Sequence, residues 1–222
     1  MHDAAHRSIA PKKEWINQTM GWISQLWIGP QANFWAFKYL HLEHHKYTND
    51  PEKDPDYYAS GVWWSLPFRW FTVDINYWRF YIPLVLPWAS KRSMFETCTV
   101  WLYHINILML LYWSWKNGYL PAICWNWILP SRISIALLAF AFDFLPHYPH
   151  GDTRQYKHTH NFDFGILNGP ATFIFMYQNY HALHHRYPYV SFWEYAVVWD
   201  EKKREMMSKG TQTIHLSSLV KL

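Results

Sequence analysis

The sequence predicts an all-α membrane protein with one spanning helical hairpin, further helices in the membrane interface, and a histidine-rich site for more than one metal ion on the cytoplasmic side. Two long apolar runs predict the hairpin, and histidine clusters at helical spacing predict the site. The composition supports the membrane setting: 50% of the 222 residues are hydrophobic and 16% are charged, against roughly 25% charged in soluble proteins. The 16 tryptophans and 16 tyrosines suit membrane–water interfaces, because their rings are apolar and their tips are polar.

The predicted hairpin consists of two apolar runs, each about as long as the roughly 20 residues that a membrane span requires. The first extends from Phe95 to Trp115 and the second from Pro121 to Pro146, and residues 116–120 form the short turn between them. Lysine and arginine precede the first run and follow the second. By the positive-inside rule both outer ends are cytoplasmic, which places every histidine cluster on that side.

Two further segments, Trp15–Leu40 and Val62–Trp88, are aromatic and amphipathic, and each predicts helix lying in the headgroup plane. The first is broken at Gly29-Pro30, because proline cannot continue a helix and glycine is a poor helix former. A charged, proline-containing loop separates the two segments. We divide the chain into a main domain over residues 1–200 and a charged C-terminal tail over residues 201–222.

The most specific chemical feature is a set of eight histidines in three short clusters. The last two clusters share the pattern His-x-x-His-His, and residues three or four apart lie side by side on one face of a helix. Because a neutral imidazole is a metal ligand, three such clusters predict a site for more than one ion. The predicted ligands are His2, His6, His41, His44, His45, His181, His184 and His185.

Residues outside the clusters extend the predicted site. His147 follows the second apolar run and is the best further metal ligand. Asp143 lies one helical turn before His147 and is a candidate to orient that ring or to hold a metal-bound water; the alternatives are an ion pair with Arg132 and a polar helix end. Weaker candidates, which fit ordinary loop positions as well, are His150, His158 and His160.

These motifs resemble those of the membrane fatty acid desaturase and hydroxylase superfamily, and within it most closely those of the desaturase-like beta-carotene hydroxylases. The resemblance extends from residue 2 to about residue 193. The stretches that carry it are HDAAH at residues 2–6, HLEHHKYTNDP at residues 41–51, Asp54-Pro55-Asp56, FDFLPH at residues 142–147 and QNYHALHH at residues 178–185.

The resemblance implies a desaturase-like fold and a non-haem di-iron enzyme. Members of the superfamily hold two irons mainly through histidine, activate O2 with electrons from an external ferredoxin- or cytochrome b5-type donor, and attack a C–H bond of a lipid such as a carotenoid or an acyl chain. On this basis we assign catalytic positions to Asp143 and Asn179, and we expect carotenoid hydroxylation rather than acyl desaturation. Members usually have two helical hairpins, whereas this sequence has room for only the second, so we expect an N-terminally truncated domain.

Other classes of protein fit the sequence less well. A soluble carboxylate-bridged di-iron bundle requires Glu-x-x-His pairs on four helices, and a zinc hydrolase carries His-Glu-x-x-His; the sequence has neither pattern. The basic residues are scattered and the net charge is +4, which predicts no nucleic-acid surface. Two alternatives stay open: an acyl desaturase, and a non-catalytic membrane remnant that keeps the clusters without assembling the site.

Overall fold

Eleven α-helices and two short β-strands make up residues 1–215, the part of the chain that the computed structural model describes. Short 3-10 turns connect many of these elements. The helices are α1 (His2–Ala5), α2 (Glu14–Ile28), α3 (Phe34–Tyr47), α4 (Leu66–Phe71), α5 (Val73–Tyr81), α6 (Met94–Lys116), α7 (Leu120–Ile123), α8 (Leu129–Leu138), α9 (Asn168–Ile174), α10 (His181–Arg186) and α11 (Tyr195–Ser208), and the strands are β1 (His160–Asp163) and β2 (Gln212–His215).

The predicted hairpin is present as two long apolar helices. Helix α6 is the first, and the second is a continuous helix over Leu120–His147 that includes α7, α8 and two π-helical stretches. Both are long and apolar enough to cross a membrane, and only 17% of the most apolar window of each is buried within the protein. Core helices of a soluble protein are mostly buried, so the outward apolar faces favour a lipid environment for this pair.

Helix α3 lies at the centre of the fold and carries the second histidine cluster. It begins at Asn33, whose side chain accepts hydrogen bonds from two backbone N–H groups of the first turn. Ala36 and Leu40 of α3 pack against Tyr81 of α5 and Val100 of α6 in the largest apolar cluster of buried residues. The break at Gly29-Pro30 separates α2 from α3 as predicted.

The second predicted interfacial segment forms the short helices α4 and α5 rather than one long helix. Its tryptophans Trp63 and Trp64 are exposed, as are Trp15 and Trp27 of α2. This exposure is what an interfacial position requires, and the position itself stays a prediction.

The fold is mostly helical rather than purely helical, which corrects the all-α prediction. Strands β1 and β2 pair in parallel, with His160 opposite Gln212. Each strand has four residues, too few for an alternating pattern to be recognised in the sequence. Strand β2 lies within the segment predicted as a tail, and the predicted boundary at residue 200 falls inside α11. Residues 216–222 of that tail lie outside the described part of the chain.

An ion pair fastens α5 to the second long helix. The guanidinium of Arg132 in α8 donates hydrogen bonds to both carboxylate oxygens of Asp74 in α5, and the Nη1–Oδ1 distance is 2.9 Å. Both side chains are 15% exposed, so water screens the pair little. Arg132 therefore pairs with Asp74 and not with Asp143, the alternative that the sequence allowed.

We expect Asp74→Asn to lower the thermal midpoint of the detergent-solubilised protein by roughly 6–12 °C. The variant leaves the Arg132 charge without its carboxylate, and breaking a buried pair costs about 3 kcal/mol or more. Asp200→Asn is the matched control, because its pair with Lys203 is exposed and such pairs contribute at most about 1 kcal/mol. Equal midpoints for the two variants would contradict a stabilising role for the Arg132–Asp74 pair.

Candidate metal centre

The three histidine clusters converge on one buried centre, where they form two groups of four imidazoles. Within each group the ring nitrogens that face one another all lie within 4.8 Å. The first group is His2, His6, His41 and His184, and the second is His44, His147, His181 and His185. His147 joins the second group from the end of the second long helix.

Helical spacing distributes the two His-x-x-His-His clusters between the groups. In α3, His41 belongs to the first group and His44 to the second, and in α10, His184 belongs to the first while His181 belongs to the second. Strand β1 places α10, because the buried side-chain oxygen of Asn161 accepts a hydrogen bond from the backbone N–H of Ala182 at 2.9 Å. The small sheet thus holds the third cluster in position.

The spacing of the facing nitrogens matches that of ligands on a shared ion. In the first group the Nε2 atoms of His2 and His184 are 3.0 Å apart, and those of His6 and His41 are 2.8 Å apart. In the second group His181 Nε2 is 2.9 Å from that of His147 and 3.0 Å from that of His185. Two nitrogens bound at about 2.1 Å and at right angles to one ion lie about 3 Å apart.

His45 lies between the two groups. Its Nε2 atom is 3.3 Å from the Nε2 atom of His41, and its ring stacks on the ring of His185 with centroids 4.2 Å apart. Its Nδ1 atom is buried, and no side chain or backbone group among residues 1–215 hydrogen-bonds with it. The predicted ligand His45 is therefore in place beside both groups.

The opposite nitrogen of most of these rings meets a protein acceptor. With Nε2 turned to the centre, the proton resides on Nδ1, and an acceptor there fixes both the tautomer and the orientation of the ring. The acceptors are Asp3 for His2 at 2.9 Å, Asp54 for His44 at 2.8 Å, Gln178 for His181 at 3.1 Å, Tyr195 for His184 at 2.7 Å and, at a longer 3.4 Å, Thr48 for His185.

Burial keeps most of the histidines neutral, so that their lone pairs are available to a metal ion. Burial lowers the pKa of His6 to about 2, helped by neighbouring histidines. It lowers the pKa well below the usual range, again with a contribution from neighbouring histidines, for His41, His45, His181, His184 and His185.

His44 differs because carboxylates face it. Burial lowers its pKa, but the charges of Asp54 and Asp56 and the hydrogen bond with Asp54 outweigh burial and raise the pKa to about 9. Asp54 lies 2.8 Å and Asp56 3.4 Å from His44 Nδ1, and Asp56 also accepts a hydrogen bond from Tyr77. These carboxylates place negative charge beside the second group, where a metal cation would complement it.

The two residues predicted as catalytic lie in different elements. Asp143 is half-buried in a π-helical stretch, close enough to Asp56, His44 and Asp54 for their charges to act on it. Asn179 is buried just before α10, and its side-chain nitrogen donates a hydrogen bond to Thr172 at 3.0 Å. Its Oδ1 atom has no hydrogen-bond partner in the described residues.

The weaker histidine candidates surround the second group without joining it. The ring of His158 is 5.3 Å from the ring of His185, and that of His150 is 6.3 Å from that of His147. His160 donates a hydrogen bond to the backbone carbonyl of Tyr148. Cavities of about 350 and 470 Å³ flank His158 and extend to His185 and His147, respectively, and charged residues such as Asp50, Asp152 and Arg154 are among those that line them.

Comparison with known proteins gives the family. The fatty acid desaturase family matches residues 1–217, nearly the whole chain. The chain belongs to that family. It is 26% identical over 212 residues to dihydrorhizobitoxine desaturase of Bradyrhizobium elkanii and 27% identical over 196 residues to beta-carotene ketolase of a Paracoccus species. An acyl-lipid (7-3)-desaturase of Rebecca salina is 27% identical over 154 residues.

The extent of these matches differs between relatives. The alignments cover 86% of this chain in the first two cases and 66% in the third. The chain spans 59% of the Bradyrhizobium relative, 69% of the Paracoccus relative and 30% of the Rebecca relative. No solved structure matches the chain. The matches confirm the resemblance to the desaturase superfamily, and the carotenoid enzymes among them are named ketolases rather than hydroxylases.

The residues present fit the two irons of the desaturase family. Nine imidazoles face one centre, most are neutral, and several have their outer nitrogen hydrogen-bonded, which is how metal-binding histidines are usually held.

The residues that accept these outer hydrogen bonds are not among the sites predicted from the sequence. Asp3 lies within the first histidine motif and Asp54 in the Asp54-Pro55-Asp56 stretch after the second, and a carboxylate so close to a histidine pattern is a signal. Tyr195 gives no local signal, because it reaches His184 only through the packing of α11 on α10.

We expect the metal-free protein to lose stability as the pH falls from 6.5 to 5. A histidine in the unfolded chain takes up a proton near pH 6.5. The six buried histidines with lowered pKa values named above stay neutral in the folded protein at that pH. Lowering the pH to 5 therefore favours the unfolded state by about 2 kcal/mol per histidine. Asp56 opposes this, since burial raises its pKa to about 6, but one carboxyl does not offset six imidazoles.

The measurement is the thermal midpoint in detergent after treatment with a chelator, which should fall by more than about 10 °C across this range. The metal-loaded protein is the control, and its decline should be smaller because bound metal excludes protons from the ligands. A midpoint that stays constant or rises toward pH 5 would show that the histidines are not buried in neutral form.

Proposed function

We propose that this chain is, or belongs to, a membrane-bound di-iron oxidoreductase that attacks a C–H bond of a lipid. The observation that carries the proposal is the pair of facing imidazole groups, built from three histidine motifs of a desaturase-family chain. When bound, the two irons supply the reduction of O2 and the abstraction of hydrogen. The protein binds the irons through His2, His6, His41, His44, His45, His147, His181, His184 and His185.

Other parts of the chain support this chemistry. Asp54 and Tyr195 orient metal-binding rings through their outer nitrogens. We propose Asp143 as a proton-holding group beside the second group of histidines, and Asn179 as a polar contact for water or substrate, since its Oδ1 atom is buried and has no partner among residues 1–215.

The substrate that we propose is a carotenoid. The outward apolar faces of the two long helices and the exposed tryptophans favour substrate entry from the lipid, and relatives of this chain are named beta-carotene and zeaxanthin ketolases. In the first step a ring CH2, O2, two electrons and two protons give a secondary alcohol and water. A second round at the same carbon gives a geminal diol, which loses water to form a ketone, so hydroxylation precedes ketone formation.

Acyl desaturation is the second candidate, because two of the relatives are named as desaturases. Hydrogen abstraction begins both reactions. In desaturation the neighbouring carbon then loses a second hydrogen, O2 is reduced to two molecules of water by two electrons and two protons together with the two hydrogens removed, and a double bond forms.

We further propose that the hairpin of α6 and the Leu120–His147 helix spans the membrane with the histidines on the cytoplasmic side. The positive residues that flank the hairpin support this orientation. Because the electrons come from outside the substrate, a ferredoxin- or cytochrome b5-type partner is part of the proposal. The cavities beside His45, His147 and His185 are lined in part by charged residues, which suit the supply of water and protons.

Expression of the gene in cells that accumulate beta-carotene, with membrane fatty acids profiled in parallel, tests the proposal. We expect hydroxylated or keto-carotenoid from the wild type and a loss of at least about 100-fold in product from His44→Ala and from His184→Ala, because each removes a ligand from a different group. Asp200→Asn, an exposed residue outside both groups, is the control and should keep wild-type activity.

Three outcomes would count against parts of the proposal. Unmodified carotenoid together with new acyl double bonds would replace the carotenoid substrate with the second candidate. Full activity of His44→Ala or His184→Ala, or active protein that contains zinc and no iron, would refute the di-iron centre. Protein that binds iron but yields no product in any lipid class would support the non-catalytic remnant.

A further inference from the structure

We infer that the segment Ser191–Tyr195, called here the clamp, positions two ligands of the first histidine group, and that Tyr195 is the positioning residue for His184. The inference rests on the proposed metal binding and concerns how one of the two metal positions is supported. A change in the clamp, which contributes no metal ligand, should therefore weaken metal binding at the first histidine group more than at the second.

The phenol of Tyr195 holds the outer nitrogen of His184. Tyr195 and His184 are both fully buried, and the phenol oxygen lies 2.7 Å from His184 Nδ1. With His184 Nε2 turned to the centre, its Nδ1 carries the proton, and the phenol oxygen accepts the Nδ1–H hydrogen bond. That bond turns Nε2 of His184 toward Nε2 of His2, 3.0 Å away.

The clamp also holds the ring of His2, through Asp3. One carboxylate oxygen of Asp3 accepts the Nδ1–H of His2 at 2.9 Å, and the other accepts the backbone N–H of Phe192 at 3.3 Å. The hydroxyl of Ser191 donates to the backbone carbonyl of Ser8 at 2.8 Å. Both contacts join the clamp to residues 2–8, so the same five residues orient His2 and His184.

The second group relies mainly on other segments for its outer hydrogen bonds. Asp54 holds His44, and Thr48 lies beside His185; both belong to the end of α3 and the loop that follows. Gln178 holds His181, and its side chain also hydrogen-bonds with Tyr195, so Gln178 touches both supports. Damage to the clamp should therefore weaken the first metal position while the second keeps Asp54 and Thr48.

The decisive variant is Tyr195→Phe, which keeps the buried ring and removes the one oxygen that holds His184. We expect iron in the purified protein to fall from about two to about one per chain after a chelator challenge, because loss of such an outer partner typically lowers metal affinity 10–100-fold. Tyr189→Phe is the matched control, since Tyr189 is 66% exposed, and it should retain both irons.

A spectroscopic measurement distinguishes selective loss from general damage. Two neighbouring ferric ions are magnetically coupled, so the remaining iron in Tyr195→Phe should show the electron paramagnetic resonance signal of an isolated ferric ion. Circular dichroism checks that the variant keeps its helices. Asp3→Asn provides a second route, because an amide has one acceptor oxygen and cannot serve both His2 and Phe192; it should also lose one iron first.

Each possible result decides the inference. Retention of both irons in Tyr195→Phe at the wild-type release rate would overturn it, and so would loss of both irons at equal rates in a folded variant. If Tyr195→Phe does not fold, loss of a single iron in Asp3→Asn supports the clamp, and retention of both refutes it. A wild-type protein that takes up no iron would refute the proposed function, and the inference with it.

Discussion

The structure depends on one constraint, which is that a neutral imidazole buried beside a metal site needs an acceptor for its outer ring nitrogen. An imidazole that turns one nitrogen to a metal carries a proton on the other, and a buried donor without an acceptor costs about 1–3 kcal/mol. For five of the nine imidazoles the fold supplies that acceptor from different segments, such as Asp54 from the loop after α3 and Tyr195 from the first turn of α11, whereas the Nδ1 atoms of His45 and His147 have none among residues 1–215. The end of α3 and the start of α11 therefore have to place an acceptor beside a metal-binding ring, in addition to suiting the helix propensity of their residues.

The same constraint explains why the small sheet matters in a mostly helical protein. Helix α10 has six residues, too few to be stable alone, yet it carries three of the imidazoles. Asn161 of β1 accepts the hydrogen bond of its first turn, and α11 packs on its apolar residues Ala182 and Leu183. The strands and α11 thus supply the rigidity that the helix lacks.

Local patterns were sufficient to predict the long helices and the residues that converge, but not their supports. The apolar run predicted over Phe95–Trp115 matches α6 to within one residue at each end, because a long apolar helix is formed by consecutive residues and is visible in the sequence as an apolar run. The pairing of β1 with β2 and the contact of Tyr195 with His184 join positions with no shared periodicity. Arg132 shows the same limit. It lies in the same apolar run as Asp143, so the sequence allowed an ion pair between them, whereas tertiary packing pairs Arg132 with Asp74.

The proposed reaction brings two kinds of reactant to the same histidines, and the surroundings of the histidines suit both. The two long helices turn apolar faces outward, along which a hydrocarbon can approach without losing its lipid surroundings. Cavities lined in part by charged residues such as Asp50, Asp152 and Arg154 reach His45, His147 and His185. Oxygen reduction consumes protons and electrons that lipid does not carry, so in the proposed reaction the protons arrive by way of these charged residues. A hydrocarbon from lipid and protons from water then meet at the histidines, where the C–H bond is attacked and where excess water would permit side reactions.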